Sequence, residues 1–591
     1  MHTKTTLSFI AILLIISGLS AQTLDLPRFA TDAEREIEPP PVIPIGITTP
    51  PTSPVRTMAE WEELQALVIT WNGQSTILAE IVRAAREECN VVICCENQAV
   101  VAQAKTKLTS VGVDFSSKVT FLIAQNNSIW VRDYGPNCVY ANDVDSLYFV
   151  DWIYNRPTRP KDDTIATVLA PYFNLPLYST SVAPTDLVNT GGNFMADGMG
   201  TAFASSLILN ENAPGNGYGV TPKNEGQIND ILSDFMGIDR YIKMTPLPYD
   251  GIHHIDMHMK LLNEETLMIG KYPSGVADGP QIEANIQYVL NNFPSSFGEN
   301  YKVVRIPMPP ENGEYPDGNG DYRTYANAVF VNKTIIVPFY ETKYDTTAER
   351  IWQEAMPGYK VVGINCNSII GSLGAIHCIT KEVGVADPLR IVHKPIQEVV
   401  QSLTYPDHYP VTAIVQHRSG INEAQVFYRR KTETTWESVA MTPVLNPDSV
   451  GYWTGLIPKQ EFYYDSLFYF IEGTSNSGKK QVRPLPAPAG AWKFKIQLNI
   501  SSTETPAAEL LEIYPNPASA ITVIPVQSSA KTRGSVLIYN SLGQMVYAVF
   551  EGEIPSGNTN YFLDAAVLPS GAYFVKLQTG GQVRVKKLVV R

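Results

Sequence analysis

The chain has 591 residues, 44% of them hydrophobic and 17% charged, with a formal net charge of -13 and six cysteines. That length exceeds one hydrophobic core and predicts roughly three or four domains. The acidic balance excludes nucleic acid as a main partner, since phosphate binding needs clustered Lys and Arg. Six cysteines are too few for a disulfide scaffold, and without a CxxC pair a structural zinc site is not expected.

The N-terminus, MHTKTTLSFIAILLIISGLSAQ, has Lys4, an apolar run from Leu7 to Ile16 and small residues after it. It reads as a signal peptide over residues 1–21, because the run is too short to span a bilayer comfortably. No other stretch is long enough to span, so the mature chain is expected to have no transmembrane segment. Residues 22–55 form a propeptide or linker; PPPVIPIGITTPPTSP at 39–54 cannot build a helix or an inner strand.

From MAEWEELQALVITW to about residue 390, β-rich runs (ALVIT, NVVICC, KVTFLIA, AVFVNKTIIVPFY) alternate with helical stretches (TILAEIVRAAREE, TTAERIWQEAM). This is the pattern of an α/β domain, assigned to residues 56–390. Cys89, Cys94 and Cys95 lie in a predicted buried strand. Cys138 and Cys366 also have apolar neighbours, so core packing is the plain reading for all five. Residues 391–497 change to short alternating strands with turns such as SNSGKK, which predicts an immunoglobulin-like β-sandwich. A linker at 498–509 leads to a second all-β segment, 510–591.

Four places in the α/β segment concentrate reactive residues: SIWVRDYGP with Asp133, GIHHIDMHMKLL with His254 and Asp256, RTYANAVF with Asn327, and GSLGAIHC with Cys378. From His254 to Leu261 polar and apolar residues alternate, which predicts a strand with His254 and Asp256 on one face. A half-exposed strand with a solvated polar face has the same pattern. His254 and His258 also have the spacing of two zinc ligands on a helix, but the alternation opposes a helix and HEXXH is absent. Asp133 before Gly135-Pro136 is a carboxylate beside a sharp turn, or simply a turn former.

In their order, IWVRDYGP, NTGGNFMADG, GIHHIDMHMKLL and GAIHC resemble the agmatine deiminase family and its exported Porphyromonas-type peptidylarginine deiminases. The opening MAEWEELQALVITW shares the likeness. The resemblance implies a pentein fold, five αββαβ modules in a propeller with the active site at its centre. It implies an exported enzyme that converts peptidyl-arginine, C-terminal arginine foremost, to citrulline and ammonia through a covalent Cys thioether. No cofactor or metal is expected, and no EF-hand-like acidic loop is present for calcium. An exported agmatine or arginine deiminase is the near alternative. A cysteine hydrolase or protease using Cys378 and His254, or a non-catalytic surface adhesin, are the other classes.

By this resemblance Asp133 and Asp256 grip the guanidinium, Cys378 attacks its carbon and His254 moves protons, with Asn327 in support. Trp130 and Ile252 line the substrate site, with Trp130 stacking on the guanidinium or its stem. Arg156 and Arg159 in DWIYNRPTRPKDD stand near positions that bind the carboxylate of a C-terminal arginine, although Arg159 is one residue beyond the expected place. His377 has no role implied. YPNPA, PSGAYFVKL and KKLVV in the last eighty or so residues resemble the C-terminal sorting domain of type IX secretion. The partners implied are arginine-bearing peptides or proteins and the secretion machinery, and the location is the exterior or outer-membrane surface of a Gram-negative bacterium.

Overall fold

The computed structural model describes residues 26–38, 40–401, 407–444, 451–460, 465–498, 508–579 and 582–591. The predicted signal peptide lies outside the described residues, as does most of the predicted linker at 498–509.

Between residues 55 and 384 the chain makes five small mixed sheets of one design. Each holds an antiparallel pair and a strand added in parallel. A parallel neighbour needs a crossover, and a helix supplies it each time. Ser75–Ala85 joins Leu64–Thr70 to Asn90–Cys95. Ile165–Phe173, Glu225–Met236, Gly279–Asn292 and Thr342–Ala355 do the same in the other four sheets.

The helices form because their apolar residues recur on one face. Ile77, Leu78, Ile81, Val82 and Ala85 are buried along Ser75–Ala85, and a fully buried Leu or Ile contributes about 1.5–3 kcal/mol. Glu225–Met236 begins with a capping box between Asn224 and Gln227 and ends at Gly237 in the left-handed region. The strand Asn90–Cys95 is buried on both faces, as its unbroken apolar run predicts, and all six cysteines are free and buried.

The segment closes on itself. Lys381–Gly384, at its end, pairs antiparallel with Leu64–Thr70, near its start. The termini of the sheets and their short 3-10 turns meet in the interior, and there the reactive residues collect.

Residues 390–498 form a mostly antiparallel β unit with its own core around Val411, Val426, Ile471 and Phe494. Residues 508–591 form two further sheets around Val526, Val536, Val575 and Leu588. Among the described residues no helix is long and apolar enough to cross a membrane.

The alternating stretch HIDMHMKL is not a strand from its start. Ile255–Met257 is a single 3-10 turn, and the strand begins at Met259. His254, Asp256 and His258 are buried rather than solvated, so the alternation marks the buried site and not a two-faced sheet. The same turn removes the helix that would align His254 with His258 as a pair of zinc ligands.

Candidate active site

Asp133 lies on the one-turn helix Val131–Tyr134, Asp256 on the 3-10 turn Ile255–Met257, and Cys378 on the 3-10 turn His377–Ile379. These turns come from different sheets, and they converge on one guanidinium. It belongs to the chain itself: Arg28, fully buried, from the segment LPRFATDAERE that precedes the proline-rich stretch.

Arg28 makes a two-sided grip. Its Nε and Nη2 each donate to Asp133 at 2.8 Å. Its Nη1 and Nη2 each donate to Asp256 at 3.0 Å. Two bidentate carboxylates thus hold the planar group on two edges, the geometry that suits a guanidinium. Nη1 also donates to Cys378 Sγ at 2.7 Å.

Burial opposes charge in this site, and the partners reverse it. Burial alone would push the Asp133 carboxyl up, but Arg28 holds it down at about 2. Asp256 is held well below the carboxylate range by Arg28 and His377 against the same burial. Burial pushes the Cys378 thiol well above its usual value; Arg28 draws it down while Asp256 and Asp133 raise it. His254 is held down at about 3, first by burial and then by the charge of Arg28. The resting site therefore pairs a thiol with a neutral imidazole. Both ring nitrogens of His254 are buried without a hydrogen-bond partner, with Nδ1 3.7 Å from Asp133 Oδ1.

Asn327 is more central than the sequence suggests. Its Nδ2 donates to Cys378 Sγ and to the Asp256 carbonyl, each at 3.1 Å, and its Oδ1 accepts from the His377 amide. The glycines make room. A Cβ on Gly192, in NTGGNF, would fall 1.6 Å from Arg28 Nη2 and 2.7 Å from His254 Nδ1. A Cβ on Gly374, in GSLGAIHC, would fall 2.5 Å from the Trp130 ring and 3.1 Å from Cys378 Sγ.

The remaining predicted residues hold main chain rather than the guanidinium. Trp130 Nε1 donates to the Leu26 carbonyl at 2.8 Å, where stacking on the arginine was expected. Arg156 Nε donates to the Arg28 carbonyl at 3.0 Å. Arg159 donates to the Phe29 carbonyl at 3.0 Å and makes a bidentate pair with Glu34. Ile252 is buried in the wall of the segment, its amide donating to Asp250.

Sequence reasoning missed four residues. Arg28 carries no local signal. Glu34 does, since Thr31 and Glu34 have capping-box spacing, and they form that box. His377 and Glu60 form a second layer: His377 Nδ1 lies 2.9 Å from Asp256 Oδ2 and Nε2 lies 3.1 Å from both Glu60 oxygens. Glu60 is paired in turn with Lys260. His377 and Lys260, with burial opposing them, keep Glu60 ionised.

Two facing carboxylates, a cysteine, an unpartnered histidine and a fold matching that of pentein-type deiminases define a guanidino-group deiminase, a hydrolase class. A family model described as Porphyromonas-type peptidyl-arginine deiminase matches residues 56–383, and the chain belongs to that family. A second, described as a secretion system C-terminal sorting domain, matches residues 512–591. This type IX sorting domain marks a secreted or outer-membrane-surface protein of a Gram-negative bacterium.

An inferred agmatine deiminase of Shewanella baltica is 27% identical over 318 residues, 48% of this chain and 80% of its own. A solved structure of another inferred agmatine deiminase aligns with a TM-score of 0.50 at 22% identity, covering 58% of this chain and 99% of its own. The agmatine deiminase of Enterococcus faecalis aligns with a TM-score of 0.48 at 20% identity, covering 57% of this chain and 98% of its own.

Proposed function

We propose that the chain is a secreted peptidyl-arginine deiminase, converting arginine within a peptide to citrulline and ammonia. One observation carries the reading: the guanidinium held between Asp133 and Asp256, against Cys378, is that of an arginine with main chain on both sides. Leu26, Arg28 and Phe29 present their carbonyls to Trp130, Arg156 and Arg159. Agmatine has no such groups to offer, so these contacts favour a peptide. Arg156 meets a carbonyl where a C-terminal arginine would place a carboxylate, so an internal arginine is accommodated as well.

The chemistry follows from the geometry. The delocalised guanidinium is a poor electrophile and needs a thiolate. Cys378 loses its proton as sulfur adds to the guanidinium carbon, and the carboxylate within its reach is Asp256 Oδ2 at 3.5 Å. The proton is relayed through His254 to the departing nitrogen, which leaves as ammonia. The thioether intermediate keeps its positive charge, so both carboxylates still hold it. His254 then takes a proton from water, oxygen adds, and the carbon–sulfur bond breaks to leave a neutral ureido group. Asp133 and Asp256 bind charge that the product lacks, so citrulline dissociates.

In this reading the five mixed sheets are the five modules of a pentein propeller over residues 56–390. Residues 391–497 are an immunoglobulin-like sandwich, and 510–591 the sorting domain.

The test is citrulline and ammonia release from four compounds: an internal-arginine peptide, a peptide ending in arginine, free arginine and agmatine. Each is compared with Cys378→Ala, with EDTA and reductant present. Turnover of the peptides that vanishes in the variant is expected. Turnover of agmatine alone would keep the chemistry and reject the peptide substrate. Turnover of none would reject the deiminase.

A further inference from the structure

We propose that Arg28 is this enzyme's own first substrate: it is deiminated in cis, and its conversion opens the site to other arginines. The proposal rests on the deiminase reading above. The segment around Arg28 is bound as a substrate would be, on both sides of the reacting group. The Arg28 amide donates to the Ser372 carbonyl at 3.0 Å, and its carbonyl accepts from Arg156. Downstream, the Glu34 carboxylate is clamped by Arg159 and by its capping box with Thr31. Further on, Ile47 makes main-chain hydrogen bonds with Leu177 and Ser179. The arginine is thus tethered on the chain that bears the nucleophile, at an effective concentration that a free peptide must exceed.

Cys378 Sγ accepts from Nη1, and a Cβ placed on Gly192 would meet both Arg28 Nη2 and His254 Nδ1, so thiol, guanidinium and imidazole share one pocket. Attack by sulfur on the Arg28 guanidinium carbon forms a C–S bond, and one C–N bond breaks to release ammonia. Water then adds to that carbon and the C–S bond breaks, regenerating the thiol. The net change is guanidinium plus water to a ureido group plus ammonium, with no oxidant or reductant.

The product cannot stay as the reactant did. A ureido group is neutral, and Asp133 and Asp256 would be left as two buried carboxylates with their shared cation removed. The converted side chain leaves the pocket and the Leu26, Arg28 and Phe29 carbonyls come off Trp130, Arg156 and Arg159 with it, while the Glu34–Arg159 pair, untouched by the reaction, keeps the segment nearby.

The experiment is peptide mass spectrometry of residue 28 in full-length protein, reading replacement of the guanidinium NH by oxygen. Wild type is expected to carry citrulline at 28, and Cys378→Ala to keep arginine there. Cys378→Ala incubated with active wild type should still keep it, because its own segment is seated in its own pocket. Conversion of the variant's Arg28 by wild type would place the reaction in trans and overturn the proposal. So would arginine retained at 28 in a wild-type protein that turns over an added internal-arginine peptide. If wild type keeps Arg28 and only Arg28→Ala is active on the peptide, the segment is an unreactive plug: self-conversion fails and the deiminase stands. If neither protein turns over any guanidine, the deiminase reading fails, and this proposal with it.

Discussion

His377 Nδ1 lies 2.9 Å from Asp256 Oδ2, while its Nε2 rests on both oxygens of Glu60. The imidazole is a strut between two carboxylates, and it fixes the rotation of the one that holds the guanidinium. Removing it frees Asp256 to turn. His377→Ala is expected to lower kcat/KM on an arginine peptide by about 10–100-fold, the usual cost of losing an outer-shell partner. The loss should appear in KM as well as kcat, and His377→Gln should recover part of it. Steady-state kinetics on the three proteins would check this; an unchanged KM in the alanine variant would remove the positioning role.

Gly192 leaves no space for a side chain, with a Cβ landing 1.6 Å from Arg28 Nη2. The first atom in its way is a guanidinium nitrogen. Gly192→Ala should therefore fold but exclude the guanidinium, with activity on every arginine compound reduced at least ~100-fold, since a misplacement of about 1 Å costs that much. Circular dichroism beside a citrulline assay would separate exclusion from misfolding.

Arg156 donates to two main-chain carbonyls, that of Arg28 and that of its own neighbour Asn155. A charged donor to a carbonyl contributes about 1.5–3 kcal/mol. Arg156→Ala should raise KM for arginine peptides about 10–100-fold by that figure and leave any agmatine turnover nearly unchanged. Equal loss on both compounds would place Arg156 in the support of the guanidinium pocket instead.

His254 is held down at about 3 by burial and by Arg28. In the unfolded chain a histidine titrates near ~6.5. Below that pH the unfolded chain takes up a proton that the folded chain refuses. The stability due to neutral His254 is therefore full above about 6.5 and is lost as pH falls toward about 3. Between about pH 6 and 4, in a Cys378→Ala background that keeps Arg28 seated, the protein with His254 should lose up to ~1.4 kcal/mol per pH unit more than the one with His254→Gln. Urea unfolding of both proteins across that range measures the difference. The other histidines held below their ordinary value, His253, His258 and His393, are shared by both proteins and cancel.

The α/β alternation was legible because each crossover writes two periods in turn, an apolar run for the strand and a helical stripe for its partner. Asp133, His254, Asp256 and Cys378 were legible as reactive types beside turns, and the structure brings them together. Their secondary structure was not. The polar positions 254, 256 and 258 imitate a strand because the site, not solvent, takes their side chains. Arg28 could not be read at all. Its partners Asp133, Asp256 and Cys378 lie 105, 228 and 350 residues away, and no local pattern spans such distances. Glu60 and His377 were missed for a similar reason, since their meaning lies in the Asp256 carboxylate they hold.

Cys378 sits on the turn just ahead of Lys381–Gly384, the strand that pairs back onto Leu64–Thr70. The acids come earlier in the chain than the sulfur they serve. A polypeptide cut short between Asp256 and that strand would carry both acids but not a seated nucleophile. No copy so cut short carries the complete constellation in place, because its sulfur is the last member to be made.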